Sequence, residues 1–218
     1  MTKKSKTPWP TKDAMNQVYE MKLWGGKDFD FYSGVGSHNP KIIKPYLDSL
    51  ISFLSSHNST LAVCDLGCGD FNIGKQLTNF TKKYIAVDIV KNLIERNNTL
   101  FKEDNLEFHC LDIAKDELPK ADCIILRQVL QHLSNAEIQK IIKKLTNYQY
   151  VILTEHVPTV SFTPNKDIIS GQGIRLKQNS GVDLLVAPFN LNIKEEKVLN
   201  KIVLENNKGI ITTKLYKL

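Results

Sequence analysis

The sequence predicts a three-layer α/β fold whose central sheet is mostly parallel and ends in an antiparallel hairpin. Between residues 61 and 153, short continuous apolar runs alternate with helical patterns, as expected for parallel strands that are buried on both faces. Near the C-terminus, two strand-like runs are joined by Asn206-Asn207-Lys208-Gly209, a sequence typical of a hairpin turn. The 218 residues are enough for one sizeable core, but not for two full domains with a linker.

The positive charge of the chain is concentrated in its first residues. The formal net charge is +6, and the lysines at positions 3, 4, 6 and 12 supply four of the 29 basic residues. Without these four, 25 basic residues stand against 23 acidic ones, so the remainder is nearly neutral. We therefore expect residues 1–12 to form a flexible basic arm in front of a single domain, residues 13–218. A near-neutral domain argues against nucleic-acid binding, which usually needs a concentrated basic face.

Residues 13–60 are predicted to form an N-terminal lid followed by a helix. The first half of this segment is rich in aromatic residues and glycine and shows no clean period. Asn39-Pro40 then marks a helix start, after which apolar residues recur at helical spacing. Pro45 leaves two alternatives: the helix begins near Lys44, or it carries an early kink.

Residues 61–155 are predicted to contain five strands and the helices that connect them. One helix is expected after the first strand, as far as about Phe80, and another around residues 92–98. Ser134 and Glu137 form a capping box in front of a third helix, which has one apolar face. The strands are predicted at residues 61–66, 84–88, 106–111, 123–126 and 150–153.

The last third of the chain departs from this rhythm. Residues 156–190 contain several prolines and glycines and no sustained period. A connection of this length is uncommon in a compact domain and is often a functional lid or binding loop. Residues 191–218 are predicted to form the terminal hairpin, with strands at 196–205 and 210–216.

Cysteine usage and hydropathy exclude several classes of protein. None of the four cysteines forms a Cys-x-x-Cys pair, so we predict neither a disulfide framework nor a metal site. No apolar run approaches the roughly 18–20 residues of a membrane helix. The N-terminal residues are not followed by an apolar signal segment. We expect a cytoplasmic protein with no membrane segment, either a monomer or a homodimer.

The most informative motif is the glycine-rich stretch that follows the first strand. Its glycines, Gly67 and Gly69, let the backbone turn tightly and approach a ligand closely. Such a turn is a weak motif when taken alone, because tight turns without a ligand and dinucleotide-binding loops share it. Asp65 makes it more specific, because a carboxylate at this point would face a cationic group and would repel a pyrophosphate.

Two further aspartates stand at the ends of the next two strands. Asp88 ends the second strand, where a carboxylate can accept both ribose hydroxyls. Asp112 ends the third strand, where a side chain can meet an adenine edge. Because the carboxyl ends of parallel strands meet in one crevice, the three acids fit a ligand with an ammonium, a ribose and an adenine. Each aspartate taken singly could instead be a helix cap.

At these residues the chain resembles the class I, seven-stranded S-adenosylmethionine-dependent methyltransferases, which have a Rossmann-like fold. The resemblance covers residues 61–155, and the terminal hairpin agrees with the reversed last strand of that family. The acid and first two glycines of the family motif correspond to Asp65, Gly67 and Gly69. The third glycine position falls on Phe71, which is a departure from the family pattern.

The resemblance implies S-adenosylmethionine as cofactor and S-adenosylhomocysteine as product. It makes residues 61–155 the cofactor-binding core and residues 156–190 the acceptor loop. Asp88 then corresponds to the ribose-binding acid, and Asp112 with Ile113 to the adenine-contacting pair. The cofactor-binding residues that follow from the resemblance are Asp65, Gly67, Cys68, Gly69, Asp88, Ile89, Asp112, Ile113, Arg127 and Gln128.

A general base is needed only if the methyl acceptor must lose a proton. The catalytic candidates lie at the ends of the fourth and fifth strands: His132, Gln128, Glu155 and His156. The fourth-strand motif of the family would place Arg127, Gln128 and His132 beside the methyl group or the acceptor. Each histidine could equally be a packing residue.

Residues outside the core must recognise the acceptor. Trp24 and Tyr32 could close over the cofactor as a lid, or could plug one end of the core. Arg175 could pair with an acceptor carboxylate or phosphate, or could form a surface ion pair of little energetic value.

The function we favour from the sequence is O- or N-methylation of a small-molecule acceptor. The stretches around Trp24, Tyr32 and Arg175 also resemble a bacterial subgroup of small-molecule methyltransferases, some of them suspected in surface-glycan pathways. Three alternatives remain open at this point: RNA methylation, a nicotinamide-dependent oxidoreductase, and a non-catalytic subunit that binds the cofactor.

Overall fold

The structure, a computed structural model, describes residues 8–218 of the chain. Its secondary structure comprises seven strands, four α-helices and several short 3₁₀ turns within these residues. The strands are β1 (Ala62–Leu66), β2 (Lys83–Asp88), β3 (Leu106–Cys110), β4 (Cys123–Arg127), β5 (Tyr150–Val157), β6 (Glu195–Val203) and β7 (Ile210–Lys217). The helices are α1 (Thr11–Glu20), α2 (Pro40–Ser56), α3 (Lys91–Leu100) and α4 (Asn135–Leu145).

All seven strands form one sheet in the order β3-β2-β1-β4-β5-β7-β6. The first five strands are parallel to one another, and β7 pairs antiparallel with both β5 and β6. The predicted α/β fold, with a mostly parallel sheet and an antiparallel C-terminal hairpin, is confirmed.

The sheet is covered on both faces, which explains the continuous apolar strands. On one face, Leu50 and Leu54 of α2 are fully buried against a cluster that includes Val63 of β1. On the other face, the apolar residues of α4, including Ile138 and Ile141, are buried in a second cluster. The strand residues of this cluster are those whose side chains point to the α4 side of the sheet. Strand residues that are apolar at every position therefore contribute to two separate cores.

The centre of the sheet determines where a ligand can bind. β1 pairs with β2 on one side and with β4 on the other, so Asp65 lies level with Ala86 and Ile125. The chain leaves β1 towards one edge of the sheet and returns to its other side at β4. A crevice opens at the carboxyl ends of the strands where the strand order reverses in this way.

The prediction of a helix between β1 and Phe80 is wrong. Two 3₁₀ turns, Gly74–Gln76 and Thr78–Phe80, stand in its place. The backbone of Phe71 is left-handed, with a φ of 63°, so an α-helix cannot include it. The residues that follow include asparagine, glycine and threonine, which are weak helix formers.

Helix α2 begins at Pro40 and not near Lys44. The side chain of Asn39 caps it by accepting a hydrogen bond from the backbone N–H of Lys41 at 3.0 Å. Pro45 lies inside the helix, near its start. The missing N–H of this proline removes a single intrahelical hydrogen bond, and the buried face of α2 maintains the helix beyond it.

The N-terminal boundary also differs from the prediction. Helix α1 begins at Thr11, so the last two residues of the expected arm are helical, while residues 1–7 lie outside the described residues. The loop predicted at residues 156–190 has only one short 3₁₀ turn, Arg175–Gln178. In the part of the chain from residue 8 onward, no helix is long and apolar enough to cross a membrane.

Phe71, at the position of the missing third glycine, belongs to the core. Its ring is fully buried and lies edge-on to Tyr84, Phe101 and Phe108, with centroids 5.7, 5.1 and 4.9 Å away. The burial of a whole aromatic side chain outweighs the strain of a left-handed backbone, which is of order 1–3 kcal/mol.

We predict that Phe71→Ala lowers the free energy of unfolding by about 3–5 kcal/mol, because it leaves a cavity among three aromatic rings. Denaturant titration at neutral pH measures the change. Val160→Ala, at a loop residue that is 65% exposed, is the control and should change stability by no more than about 0.5 kcal/mol. A loss at Phe71 as small as that of the control would contradict this account.

Candidate functional site

A cavity of about 350 Å³ lies at the carboxyl ends of the central strands. Its volume lies within the range of roughly 300–1,000 Å³ that is typical of small-ligand sites. The structure brings all of the predicted cofactor-binding residues to this cavity, together with Trp24 and His132. The residues concerned are Asp65, Gly67, Cys68, Gly69, Asp88, Ile89, Asp112, Ile113, Arg127 and Gln128.

Asp65 is a buried carboxylate on the floor of the cavity. Its Oδ2 accepts a hydrogen bond from the hydroxyl of Tyr84 at 2.8 Å. Burial raises the pKa of Asp65 to about 6, although the bond from Tyr84 and the nearby positive charge of Arg127 act in the opposite direction. A positive group from a ligand would stabilise the ionised carboxylate and lower its pKa.

Asp88 holds the glycine-rich turn in place through hydrogen bonds. Its carboxylate accepts the backbone N–H of Gly69 at 3.1 Å and that of Val90 at 3.0 Å. Burial raises the pKa of Asp88, and these backbone hydrogen bonds partly oppose the shift. The turn and the second strand end are therefore held in a fixed relation.

None of the three aspartates caps a helix. Helix α3 follows Asp88, but its N-cap is Val90, with no side-chain cap. Asp112 accepts the backbone N–H of Ala114 at 3.0 Å and pairs with Lys115 at 2.8 Å, in a turn that does not lead into a helix. The alternative explanation of these acids as helix caps is therefore wrong.

Arg127, at the end of β4, presents a guanidinium to the cavity. Its Nη2 donates to the carbonyl of Gly36 at 2.6 Å, and its Nη1 donates to Ser37 at 3.2 Å. The group lies over the ring of Tyr46, 4.7 Å from the centroid. Its buried Nε has no hydrogen-bond partner among residues 8–218. One donor of this cation therefore remains unused by the described chain.

Gln128 follows in a left-handed conformation, with a φ of 57°. Its backbone N–H donates to the carbonyl of Thr154 at 2.7 Å, which holds the strained residue in place. Its side-chain oxygen lies against Gly36, where an added Cβ would come within 2.3 Å. The segment before α2 and the end of β4 thus pack closely at Gly36, and a larger residue there would require the side chain of Gln128 to move.

His132 is buried beside the cavity, and its hydrogen bonds fix its tautomer. Nδ1 lies 3.1 Å from the carbonyl of Gly171, which can only accept, so Nδ1 carries the proton. Nε2 is then an acceptor, and the side-chain amide of Gln131 approaches it at 3.3 Å. Burial lowers the pKa of His132 to about 4, so the ring is neutral at physiological pH.

Two segments cover the cavity. Helix α1 contributes lining residues that include Thr11 and Tyr19, and the 156–190 loop contributes Gln172 and Ile174. Both segments meet at Glu137 of α4, whose carboxylate accepts hydrogen bonds from the hydroxyls of Thr11 and Ser170. The sequence predicted a lid within residues 13–60 and an acceptor loop at residues 156–190, but it did not predict these individual lining residues, because neither segment has a clear period.

Asp70 was also missed, although it directly follows Gly69. It is buried and accepts the backbone N–H of Ser33 at 2.8 Å and Nε2 of His38 at 2.6 Å. The hydroxyl of Ser33 in turn accepts the backbone N–H of Asp70 at 2.8 Å. An acid adjoining the glycine-rich turn was a usable signal, whereas nothing in the sequence pointed to Ser33.

Four predicted residues do not line the cavity. Tyr32 stacks on His38, with 4.3 Å between ring centroids, and packs over Gly26. Of the two roles expected for Tyr32, this position agrees better with a plug at one end of the core than with a lid over the cofactor. His156 bonds to the carbonyl of Lys208 at 2.7 Å, against the terminal hairpin. Glu155 is buried with both carboxyl oxygens unpaired within residues 8–218, and burial raises its pKa to about 8.

The fourth, Arg175, contradicts both roles that we expected for it. Its side chain is 1% exposed, so it makes no surface ion pair and cannot reach an acceptor in the cavity. Its guanidinium donates to the carbonyls of Leu130 and Leu133 at 3.0 and 2.7 Å, and to that of Lys166 at 2.9 Å. Arg175 therefore connects the loop to the turn that carries His132.

No group of three or more Asp, Glu, His or Cys side chains within residues 8–218 is placed to hold a metal ion. The cavity instead combines carboxylates, one guanidinium, a neutral imidazole and aromatic rings. This donor set suits an organic ligand with a positive group and several hydroxyls.

Comparison with protein families identifies the core of the chain. Residues 63–148 match the model of a methyltransferase domain. A malonyl-(acyl-carrier protein) O-methyltransferase of Acetivibrio thermocellus is 30% identical over 125 residues, and a ubiquinone biosynthesis O-methyltransferase of Rickettsia akari is 27% identical over 117 residues. These matches cover 55% and 52% of the chain, but only 42% and 46% of the relatives. The predicted resemblance to the methyltransferases is confirmed.

Solved structures agree in fold along nearly the whole chain. The N-methyltransferase NodS of Bradyrhizobium japonicum WM9, in complex with S-adenosyl-L-homocysteine, aligns with a TM-score of 0.65 at 13% identity, covering 94% of this chain and 99% of that one. Magnesium protoporphyrin IX methyltransferase of Synechocystis PCC 6803, with bound SAM, aligns with a TM-score of 0.59 at 16% identity, covering 98% and 100%. At such identities the likeness shows the fold alone.

We predict that Asp65→Asn stabilises the ligand-free chain above pH 6. The pKa of Asp65 is higher in the folded chain than in the unfolded chain, so its ionisation destabilises the fold as the pH rises from about 4 through about 6. The shift corresponds to about 2–3 kcal/mol. Denaturant titrations at pH 4 and pH 8 should show a gain for the variant only at the higher pH. The exposed Asp104→Asn is the control, and an equal gain at both pH values would contradict the prediction.

Proposed function

We propose that this chain, whose residues 63–148 match the model of a methyltransferase domain, transfers a methyl group from S-adenosylmethionine to an oxygen or nitrogen atom of a small-molecule acceptor. The observation that carries the proposal is the meeting of three aspartates, one at or just beyond the carboxyl end of each of three neighbouring parallel strands, at one cavity. The curated relatives are named O-methyltransferases and NodS is named an N-methyltransferase, which supports the reaction type without deciding the atom.

The residues present fit this cofactor. Asp65 uses one oxygen for Tyr84 and keeps the other for a positive group such as the ammonium of a methionine moiety. Asp88 is fixed by backbone donors, so its remaining lone pairs can accept two ribose hydroxyls. Asp112 and Ile113 line the part of the cavity beyond β3, where an adenine would be held.

Arg127 completes the recognition of an amino-acid group. Its guanidinium and the carboxylate of Asp65 lie close enough for each charge to alter the pKa of the other. A cation and an anion side by side match a zwitterion that carries both an ammonium and a carboxylate. A dinucleotide pyrophosphate offers no ammonium to Asp65, which supports S-adenosylmethionine over a nicotinamide cofactor.

When bound, S-adenosylmethionine supplies a methyl group that is already activated by a sulfonium. The chain therefore has to align the acceptor, exclude water and, where needed, accept a proton. Trp24, Gln172 and Ile174 enclose the acceptor, and Gln128 positions it from the end of β4. Nε2 of His132, which carries no proton and faces the amide of Gln131 at 3.3 Å, is the proton acceptor that we assign, in preference to Glu155 and His156, which do not line the cavity.

We also propose that the reaction takes place in the cytoplasm, on a free small molecule. The four cysteines are unpaired, as they would be in a reducing compartment. The connection to surface-glycan synthesis and the monomeric or homodimeric state remain predictions.

We predict that S-adenosylhomocysteine raises the melting temperature of the chain and that NADH does not. A ligand at 100 times its dissociation constant stabilises the native state by about 2.7 kcal/mol, which is several degrees for a domain of this size. Asp88→Asn should weaken binding about 10- to 100-fold by removing charged hydrogen bonds to the ribose. Asp104→Asn is the matched control. A shift with NADH alone would replace the methyltransferase proposal by the oxidoreductase.

We predict that Arg127→Met separates two parts of the ligand. The variant should bind S-adenosylhomocysteine about 10- to 100-fold more weakly, because a charge-assisted hydrogen bond to the carboxylate is lost. Its affinity for methylthioadenosine, which lacks the amino-acid group, should not change. Titration calorimetry with both ligands measures the difference, and the exposed Lys82→Met is the control. Equal losses for the two ligands would remove Arg127 from the carboxylate site.

A further inference from the structure

One wall of the cavity is not accounted for by the cofactor-binding residues. It consists of Trp24, residues 131–133, Gln172 and Ile174, and we refer to it as the acceptor wall. Among the residues that the structure describes, no lysine lines the cavity and Arg127 is its only arginine. The ionisable groups to be considered at the acceptor wall are therefore His132, within it, and Glu137, beside it.

The carboxylate of Glu137 already accepts hydrogen bonds from neutral donors of the chain. One carboxyl oxygen accepts from the hydroxyl of Thr11, and the other accepts from the hydroxyls of Ser134, at 2.7 Å, and Ser170. Glu137 also lies in the first turn of α4, where the helix dipole stabilises a negative charge. A positively charged acceptor would therefore compete with these internal donors for the carboxylate oxygens.

The positive charge of Arg175 is likewise not available at the acceptor wall. Arg175 lies behind the turn and directs its guanidinium to the carbonyls of that turn, away from the cavity. Asn135 accepts a further hydrogen bond from it at 2.8 Å. Arg175 is thus engaged by neutral oxygens and cannot pair with an anion in the cavity.

What the acceptor wall offers is an uncharged acceptor of hydrogen bonds. The proton of His132 is held on Nδ1 by the carbonyl of Gly171, and the lone pair of Nε2 faces the amide of Gln131 at 3.3 Å, a long hydrogen bond that a ligand hydroxyl can replace. The rings of Trp24 and His132 lie 5.2 Å apart between centroids and form an apolar surface beside that lone pair. Gln131 and Gln172 add neutral amides.

We infer that the acceptor is an uncharged molecule that presents a hydroxyl group to Nε2 of His132; this inference rests on the proposed methyl transfer. The hydroxyl oxygen forms a bond to the methyl carbon, the electron pair of the carbon–sulfur bond stays on sulfur, and the hydroxyl proton moves to Nε2. A carboxylate or phosphate would be buried at the acceptor wall without an opposing charge, and an ammonium would face a carboxylate whose oxygens already accept hydrogen bonds from three hydroxyls, so we expect a neutral acceptor to be favoured over either ion. Aliphatic amines, which are protonated at neutral pH, are therefore expected to bind more weakly than a neutral acceptor.

The test uses three probes that share a phenol ring and differ in charge. They are 4-hydroxybenzyl alcohol, 4-hydroxybenzoate and tyramine, titrated at millimolar concentration into the full chain saturated with S-adenosylhomocysteine. Ligand-observed NMR should show the neutral probe binding at least about tenfold more tightly than either ion. Tighter or equal binding of one ion, or binding of none of the three, would overturn the inference.

A charge placed on the acceptor wall provides a second measurement. Ile174→Arg should move the preference towards 4-hydroxybenzoate, whereas Val160→Arg, at an exposed loop residue outside the cavity, should leave it unchanged. An unchanged preference in Ile174→Arg would show that the probes bind elsewhere and would overturn the inference. Each variant is first titrated with S-adenosylhomocysteine. Failure of that binding counts against the proposed function, and failure of the probes alone counts only against the acceptor class.

Discussion

The parallel pairing of β1 with both β2 and β4 is the constraint on which the rest of the structure depends. It brings the carboxyl ends of the central strands to one edge of the sheet, and there the strand order reverses. Asp65 reaches this edge in the middle of the sheet, with neighbours on both sides, so it is almost completely buried. Every other part of the cavity either continues from these strand ends or packs onto them.

Two residues near this edge have left-handed backbones although they are not glycine. Phe71 stands after the glycine-rich turn, and Gln128 stands after β4. Each conformation is maintained by a different interaction, the burial of an aromatic ring in one and a 2.7 Å hydrogen bond to Thr154 in the other. The strain at Phe71 has a structural explanation, whereas Gln128 faces the cavity, where strained residues commonly act on a ligand.

The strands and the acids at their ends could be predicted from the sequence because both signals are local. A continuous apolar run identifies a buried strand, and an aspartate directly after it falls at the edge of the sheet. The surroundings of Arg175 could not be predicted, because they depend on carbonyls of a turn more than 40 residues away along the chain. The covering helix α1 was missed for a related reason: its buried side chains face the cavity and a small separate cluster, so no regular core-facing period is seen. The helix expected after β1 failed because one left-handed residue overrides the pattern around it.

The buried polar groups divide according to whether the chain alone satisfies them. Arg175 and Glu137 are engaged by internal partners on every side, and their roles are to hold the loop, the turn and helix α1 together. Asp65 and Arg127 are satisfied only in part, and both line the cavity, so an external ligand can supply what the chain does not. Glu155 is also unsatisfied within the described residues, but it has no access to the cavity, so burial favours its neutral acid instead. Partial satisfaction combined with access to the cavity, and not burial of charge alone, is therefore the property that separates binding groups from structural ones in this chain.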